Sequence, residues 1–203
     1  MTEKTNGVLI HQMELGPMQN FLYFLGDDSS KEAALVDAGW EAPAIRLEAE
    51  RLGLNITKIL LTHGHPDHID ALEQILEYFP VPVYLSQEEA PYYRPNIKEL
   101  KNLRDQDTIT IGAISVTCLH TPGHTPGGIC FYTPGHLLAG DTLFIDSCGR
   151  VDLPGGDQDT LLKSIRSKIF PLPDETIIYP GHNYHSLPYD TLAHQKKTNP
   201  FLR

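Results

Sequence analysis

The segment Thr62-His63-Gly64-His65-Pro66-Asp67-His68-Ile69 decides how this chain is read. It packs His63, His65, Asp67 and His68 into six consecutive positions. Imidazole and carboxylate are ligands that a borderline cation such as zinc prefers, and four this close can serve more than one ion. The preceding Lys58-Ile-Leu-Leu-Thr62 is a short apolar run of the kind that forms a buried strand. Pro66 stops that strand, and Asp67 stands where a helix cap would stand, which predicts a helix over 67–78. The cluster therefore falls on a strand-to-helix turn, where side chains converge. A surface histidine tract would carry the same letters, but it does not explain ligands directly behind an apolar strand.

Outward from this turn, short apolar runs predict strands at 8–13, 21–25, 33–36, 59–62 and 83–85, then at 108–111, 115–119, 129–132, 136–139, 143–145 and 176–179. Helical periods fall at 42–52, ended by Gly53, at 157–169 and over 187–199. Residues 91–96 read as loop, and Tyr92 and Tyr93 there suit either a flap over a pocket or ordinary loop packing. No linker tract or internal repeat divides the chain, so residues 1–203 are read as a single domain of two packed β-sheets covered by helices.

Sixteen basic against twenty-six acidic residues give a formal charge of −10, with no Lys/Arg run, which disfavours a nucleic-acid partner. No apolar stretch is long enough for a membrane, and the amino terminus lacks the apolar region of a secretion signal. Cys118, Cys130 and Cys148 form no CxxC pair, so reduced thiols and a cytoplasmic location are expected. Nothing in the sequence selects an oligomeric state.

More ligands are available in similar contexts. Thr121-Pro-Gly-His124-Thr-Pro-Gly-Gly, Ala139-Gly-Asp141-Thr-Leu-Phe and Tyr179-Pro-Gly-His182-Asn-Tyr each follow an apolar run, and each places glycine before the ligand. Glycine lets the backbone turn sharply beside an ion. Each loop alone is an ordinary turn; their joint occurrence behind a four-ligand cluster points to metal. His11, His120, His136, His185 and His194 lack this context and are not expected to ligate.

Taken in order, HxHxDH, TPGHT, GDTLF and PGH resemble the metallo-β-lactamase superfamily and span Thr62 to His182. The resemblance implies an α/β fold, the four-layer αβ/βα sandwich of two mixed β-sheets flanked by helices. It implies that His63, His65 and His124 hold one ion, that Asp67, His68 and His182 hold the other, and that Asp141 bridges them, with Asp67 and Asp141 also serving catalysis. Relatives often carry glycines where this chain has Asp70 and Ala71, which puts the local helix packing in question.

Two divalent ions lower the pKa of water from ~15.7 towards ~7 and polarise a carbonyl, so the expected reaction is attack of a metal-bridging hydroxide on a thioester or ester. Zinc is the default metal; iron or mixed occupancy suits the same ligands. Asp141 in place of a cysteine ligand argues against antibiotic-hydrolysing lactamases. The ligand pattern and the tail Thr198 to Leu202 are similar to compact glyoxalase II, a hydroxyacylglutathione hydrolase, which implies a small-molecule substrate such as a glutathione conjugate. The alternative is persulfide dioxygenase, a mononuclear iron enzyme acting on glutathione persulfide. Cys148-Gly-Arg150-Val-Asp152 and Tyr184 resemble segments of that family, implying that Arg150 and Tyr184 bind substrate and that His63, His124 and Asp141 hold the iron. Read without the resemblance, Arg150 would pair with Asp146 or Asp152 at the surface.

Overall fold

Strands that are apolar on both faces need cover on both, and the computed structural model, which describes residues 1–5 and 7–202, supplies it. Strands β1 (Thr2–Thr5), β2 (Val8–Leu15), β3 (Asn20–Asp27) and β4 (Glu32–Val36) form an antiparallel meander. The parallel strands β5 (Asn55–Leu60), β6 (Val83–Ser86) and β7 (Leu100–Leu103) extend it to a seven-stranded mixed sheet in chain order. Next come β8 (Thr108–Ile111), β9 (Ile114–His120), β10 (Ile129–Thr133) and β11 (His136–Gly140). A short ribbon of β12 (Leu143–Phe144) and β13 (Ser147–Cys148) follows, then β14 (Ile177–Pro180) and β15 (Asp190–Thr191). Without the ribbon they make a six-stranded sheet in the order β15-β14-β11-β10-β9-β8.

Between the sheets, Phe21, Tyr23 and Leu25 of β3 pack with Ile129, Phe131 and Leu138. The alternate residues Leu22 and Phe24 face away, against Ile45 of α1 (Ala42–Leu52) and Ile75 of the helical segment beyond the ligand turn. On the far side of the second sheet, Leu161, Ile165 and Ile169 cover Cys130, Leu137 and Ile178. The layers therefore run helix, sheet, sheet, helix, the four-layer sandwich expected. Each fully buried Leu, Ile or Phe in these seams contributes about 1.5–3 kcal/mol.

Helix α1 has the expected bounds: Pro43 lies in its first turn, Ala42, Ile45 and Ala49 form its buried face, and Gly53 closes it at φ 65°. The helix expected over 67–78 is instead two, α2 (Pro66–Ile69) and α3 (Leu72–Tyr78). The break falls at Asp70–Ala71, where the Ala71 amide leaves the helix to donate to Ala38 O. His65, not Asp67, holds the N-cap position, and Asp67 sits inside the first turn of α2 with its carboxylate bound by Asn20.

The helix over 157–169 begins as α4 (Gln158–Ser164), with Asp157 as its cap, and ends in a wider π turn at Ile165–Ile169. The tail helix, α5 (Leu192–Thr198), starts later than expected because Asp190–Thr191 pairs with β14. No strand is expected from the sequence at β1, β7, β13 or β15; β1 and β7 are the edges of their sheet, and Thr-Glu-Lys-Thr and Leu-Lys-Asn-Leu lack the apolar run of a central strand.

Strand direction positions the site. Strands β9 and β11 both run antiparallel to β10, and β14 runs parallel to β11, so all three end at one edge. The sheets are joined there: Ile129 N–H donates to Thr62 O at 2.8 Å, and Phe21 N–H donates to Gly181 O at 2.8 Å.

Candidate metal centre

Every expected ligand leaves a strand at that edge. His63 and His65 follow β5, Asp67 and His68 ride on α2, His124 follows β9, Asp141 follows β11, and His182 follows β14. All of these except Asp67 are buried. Ligand atoms of His63, His65 and His124 lie within 4.8 Å of one another, and so do those of Asp67, His68 and His182. Asp141 stands between the two groups. Its Oδ2 is 3.5 Å from His124 Nε2 and 3.2 Å from His182 Nε2, and its Oδ1 is 3.5 Å from His68 Nε2. Gly181 permits this approach, since a Cβ there would lie 2.1 Å from Asp141 Oδ1. Gly140, at φ 49°, turns the chain against Thr62.

Outer contacts set the rings. His124 Nδ1 donates to Arg150 O at 2.7 Å and His182 Nδ1 to Met18 O at 3.0 Å, which turns each Nε2 inward. His68 Nδ1 lies 2.9 Å from Asp37 Oδ2, and Asp37 also accepts from the amide and hydroxyl of Thr62 at 2.8 Å each. Asn20 Nδ2 donates to Asp67 Oδ2 at 2.8 Å while its own Oδ1 accepts from Trp40 Nε1 at 2.8 Å. Asp37 and Asn20 escaped the sequence reading. Asp37 carried a partial signal, an aspartate directly behind the apolar strand Ala33-Ala-Leu-Val36, but without the glycine that precedes Asp141. Asn20 carried none.

Burial, with help from neighbouring imidazoles, holds His63 well below the usual histidine range and His65 at about 4. Burial also disfavours a charged His68, but the carboxylates of Asp141, Asp37 and Asp67 override it and push its pKa up to about 9. Burial opposes a charged Asp141 as well, yet His68 and His182 hold its carboxyl well below the usual range. His65 Nε2, His124 Nε2 and Asp141 Oδ1 are buried with no hydrogen-bond partner. Leaving such atoms unpaired costs about 1–3 kcal/mol each, which is poor packing for a purely polar cluster and apt for one built around cations. The donor set of imidazole and carboxylate without thiolate fits zinc or iron.

Above the cluster opens a cavity of about 500 Å³ with His65, Asp67, His124, Asp141 and His182 on its floor. Its walls include Met18, Tyr93, Phe144 and Leu153, with Cys148, Arg150 and Tyr184 also lining it. Arg150 and Tyr184 thus line the same cavity. Tyr184 stacks on His182, ring centroids 4.7 Å apart. Arg150 lines the cavity and also makes the surface pair: its Nε and Nη2 each donate to Asp152 at 2.7 Å. Of the two tyrosines in the 91–96 segment, Tyr93 sets its ring edge against His65 and lines the cavity, while Tyr92 is exposed.

The other histidines stay outside both groups. His185 faces Asp146 at 3.6 Å, and His120 Nε2 lies 3.0 Å from Pro126 O. Among the described residues no helix is long and apolar enough to cross a membrane.

Comparison with known proteins accords with this geometry. The family model described as the metallo-beta-lactamase superfamily matches residues 15–182. The chain is 36% identical over 193 residues to hydroxyacylglutathione hydrolase GloC of Haemophilus influenzae, covering 86% of this chain and 89% of that protein. It is 35% identical over 202 residues to human mitochondrial persulfide dioxygenase ETHE1, covering 96% of this chain and 76% of that protein. Among solved structures, the BLEG-1 B3 metallo-beta-lactamase superimposes with a TM-score of 0.82 at 37% identity, covering 95% of this chain and 99% of that one. TTHA1623 in a di-iron-bound form does so with a TM-score of 0.83 at 32% identity, covering 95% and 100%.

Proposed function

The chain belongs to the metallo-beta-lactamase superfamily, and from that premise we propose that it is a two-metal hydrolase of thioesters, with a glutathione conjugate as the substrate type. The observation that carries the reading is Asp141, set between two complete ligand groups with an oxygen within 3.5 Å of His124, His68 and His182. His63, His65 and His124 would hold one cation, Asp67, His68 and His182 the second, and Asp141 would serve both. Bound divalent cations supply Lewis acidity and make a hydroxide nucleophile available near neutral pH.

The rest of the work falls to side chains. Asp67, kept in place by Asn20, faces the cavity and would orient the attacking water, whose proton ends on the departing thiol. Water oxygen bonds to the acyl carbon, the carbon–sulfur bond breaks, and the thiol leaves with a proton. Phe144, Leu153 and Met18 shed water around the acyl group, and Arg150 can turn from Asp152 to hold a substrate carboxylate. The principal rival is a mononuclear iron persulfide dioxygenase, favoured by the 35% identity to ETHE1 and by Arg150 and Tyr184 lining the cavity. There His63, His124 and Asp141 would hold the iron.

Metal analysis of anaerobically purified protein decides between them, paired with assays of thioester hydrolysis and of O₂ uptake with glutathione persulfide. Two metals per chain with thioester cleavage support the proposal. One iron with O₂ uptake overturns it, and cleavage of a β-lactam without thioester turnover would overturn the substrate class.

A further inference from the structure

Glu89 is a carboxylate for which nothing above has a use, and it is almost fully buried, 2% exposed, just beyond β6. Its Oε2 accepts from the Gly64 amide at 3.1 Å and from Thr125 Oγ1 at 2.9 Å, and its Oε1 accepts from its neighbour's amide at Ala90, 2.9 Å away. Gly64 separates His63 from His65, and Thr125 follows His124. One carboxylate oxygen therefore joins two loops that come from different sheets and carry the three histidines of one ligand group.

The segment is wedged between those loops. A Cβ on Gly64 would lie 1.9 Å from Tyr93 O, and a Cβ on Gly127 would lie 2.4 Å from Glu89 Cα. The first loop is thus held at Gly64 by both the Glu89 carboxylate and the Tyr93 backbone. A carboxylate is expensive to bury unless its lone pairs are used, and here donors from both ligand loops use them. Simple packing would be met by an apolar side chain. Two loops that must keep a fixed separation are better served by a strong acceptor shared between them.

We propose that Glu89 is a positioning residue that clamps the 63–65 loop to the 124–125 loop and so sets the spacing of His63, His65 and His124 for a cation. The proposal rests on the ligand assignment above.

Cobalt(II) titration of the full chain tests it, reading stoichiometry, affinity and visible absorption, with circular dichroism to confirm folding. The His124→Ala variant marks which equivalent belongs to the three-histidine group. In Glu89→Ala that equivalent should bind about 10–100-fold more weakly with an altered spectrum, while the other equivalent keeps its affinity. Glu89→Gln keeps an acceptor oxygen for Gly64 and Thr125 while losing the one that takes the Ala90 amide, and should recover part of the loss. Thr125→Val, nearly the same shape, removes one arm and should give a smaller loss in the same equivalent.

A folded Glu89→Ala protein with the parent's affinity and spectrum overturns the clamp. If Glu89→Ala does not fold, Thr125→Val decides, and unchanged binding there overturns the proposal. A parent chain that takes up no cobalt sinks the ligand assignment and the clamp together, whereas a parent that binds and variants that match it sink the clamp alone.

Discussion

The three-histidine group and the group of Asp67, His68 and His182 share an edge and a carboxylate, yet they stand in opposite electrostatic surroundings. His63 and His65 are buried among other imidazoles, and both are held neutral across the physiological range. His68 is buried among Asp37, Asp67 and Asp141 and is pushed up to about 9. Cation binding at His63 and His65 therefore displaces no proton at neutral pH, while binding at His68 must displace one. A chain built this way can fill its two halves unequally, and the number filled is what separates the hydrolase from the dioxygenase reading.

The largest expected effect comes from removing the group they share. Asp141→Asn should weaken both equivalents of metal by more than about 100-fold, beyond the range typical of outer contacts, with loss of turnover. Calorimetry showing only one equivalent affected would break the picture of a shared carboxylate. His124→Ala, in contrast, should lose one equivalent and turnover while the chain still folds, because its loop lies at the sheet edge and not in a hydrophobic seam. Full activity with unchanged metal content would refute the three-histidine group.

Asp37→Asn sharpens the comparison from the other side, since Asp37 contacts His68 and Thr62. We expect affinity of the second group to fall about 10–100-fold with a smaller change in the first. A fourth measurement varies pH. In the metal-free fold His68 carries its proton below about 9 and the pKa of His182 is raised too, so affinity of the second group should rise at least about tenfold per pH unit up to pH 9. The first group should depend on pH less steeply above about pH 5, because His63 is held well below the usual range and His65 is neutral above about 4. Proton release measured by calorimetry in buffers of different ionisation enthalpy checks this, and equal pH slopes for the two equivalents would contradict it.

The smallest effect belongs to Arg150→Ala. Its pair with Asp152 is exposed and screened by solvent, so thermal stability should hardly move. If Arg150 holds a substrate carboxylate, KM for an anionic thioester should rise about tenfold, in keeping with the loss of a charged hydrogen bond. An unchanged KM would leave Arg150 as surface chemistry only.

Much of this was legible before the fold was known. The ligand loops announce themselves because an apolar strand followed by glycine and a histidine or aspartate is a local pattern, visible within a few residues at 121–124, 139–141 and 179–182. Helix α1 was legible for the same reason, with its apolar period and closing glycine. The helix break at Asp70–Ala71 was not, since it depends on Ala71 bonding to Ala38, a residue distant in sequence. Asn20 was hidden too: an asparagine at the start of a strand reads as a turn residue until Asp67 is seen beside it.

By itself, then, the sequence determined which chemical groups this protein presents and that each is delivered by a loop behind a buried strand, because ligand type and strand period are properties of neighbouring residues. Only the tertiary structure decided that β9, β11 and β14 end at one edge, that Asp141 stands between two ligand groups, and that Asp37 and Glu89 support them. Those facts follow from strand direction and from contacts across two sheets, and no window of sequence contains both partners.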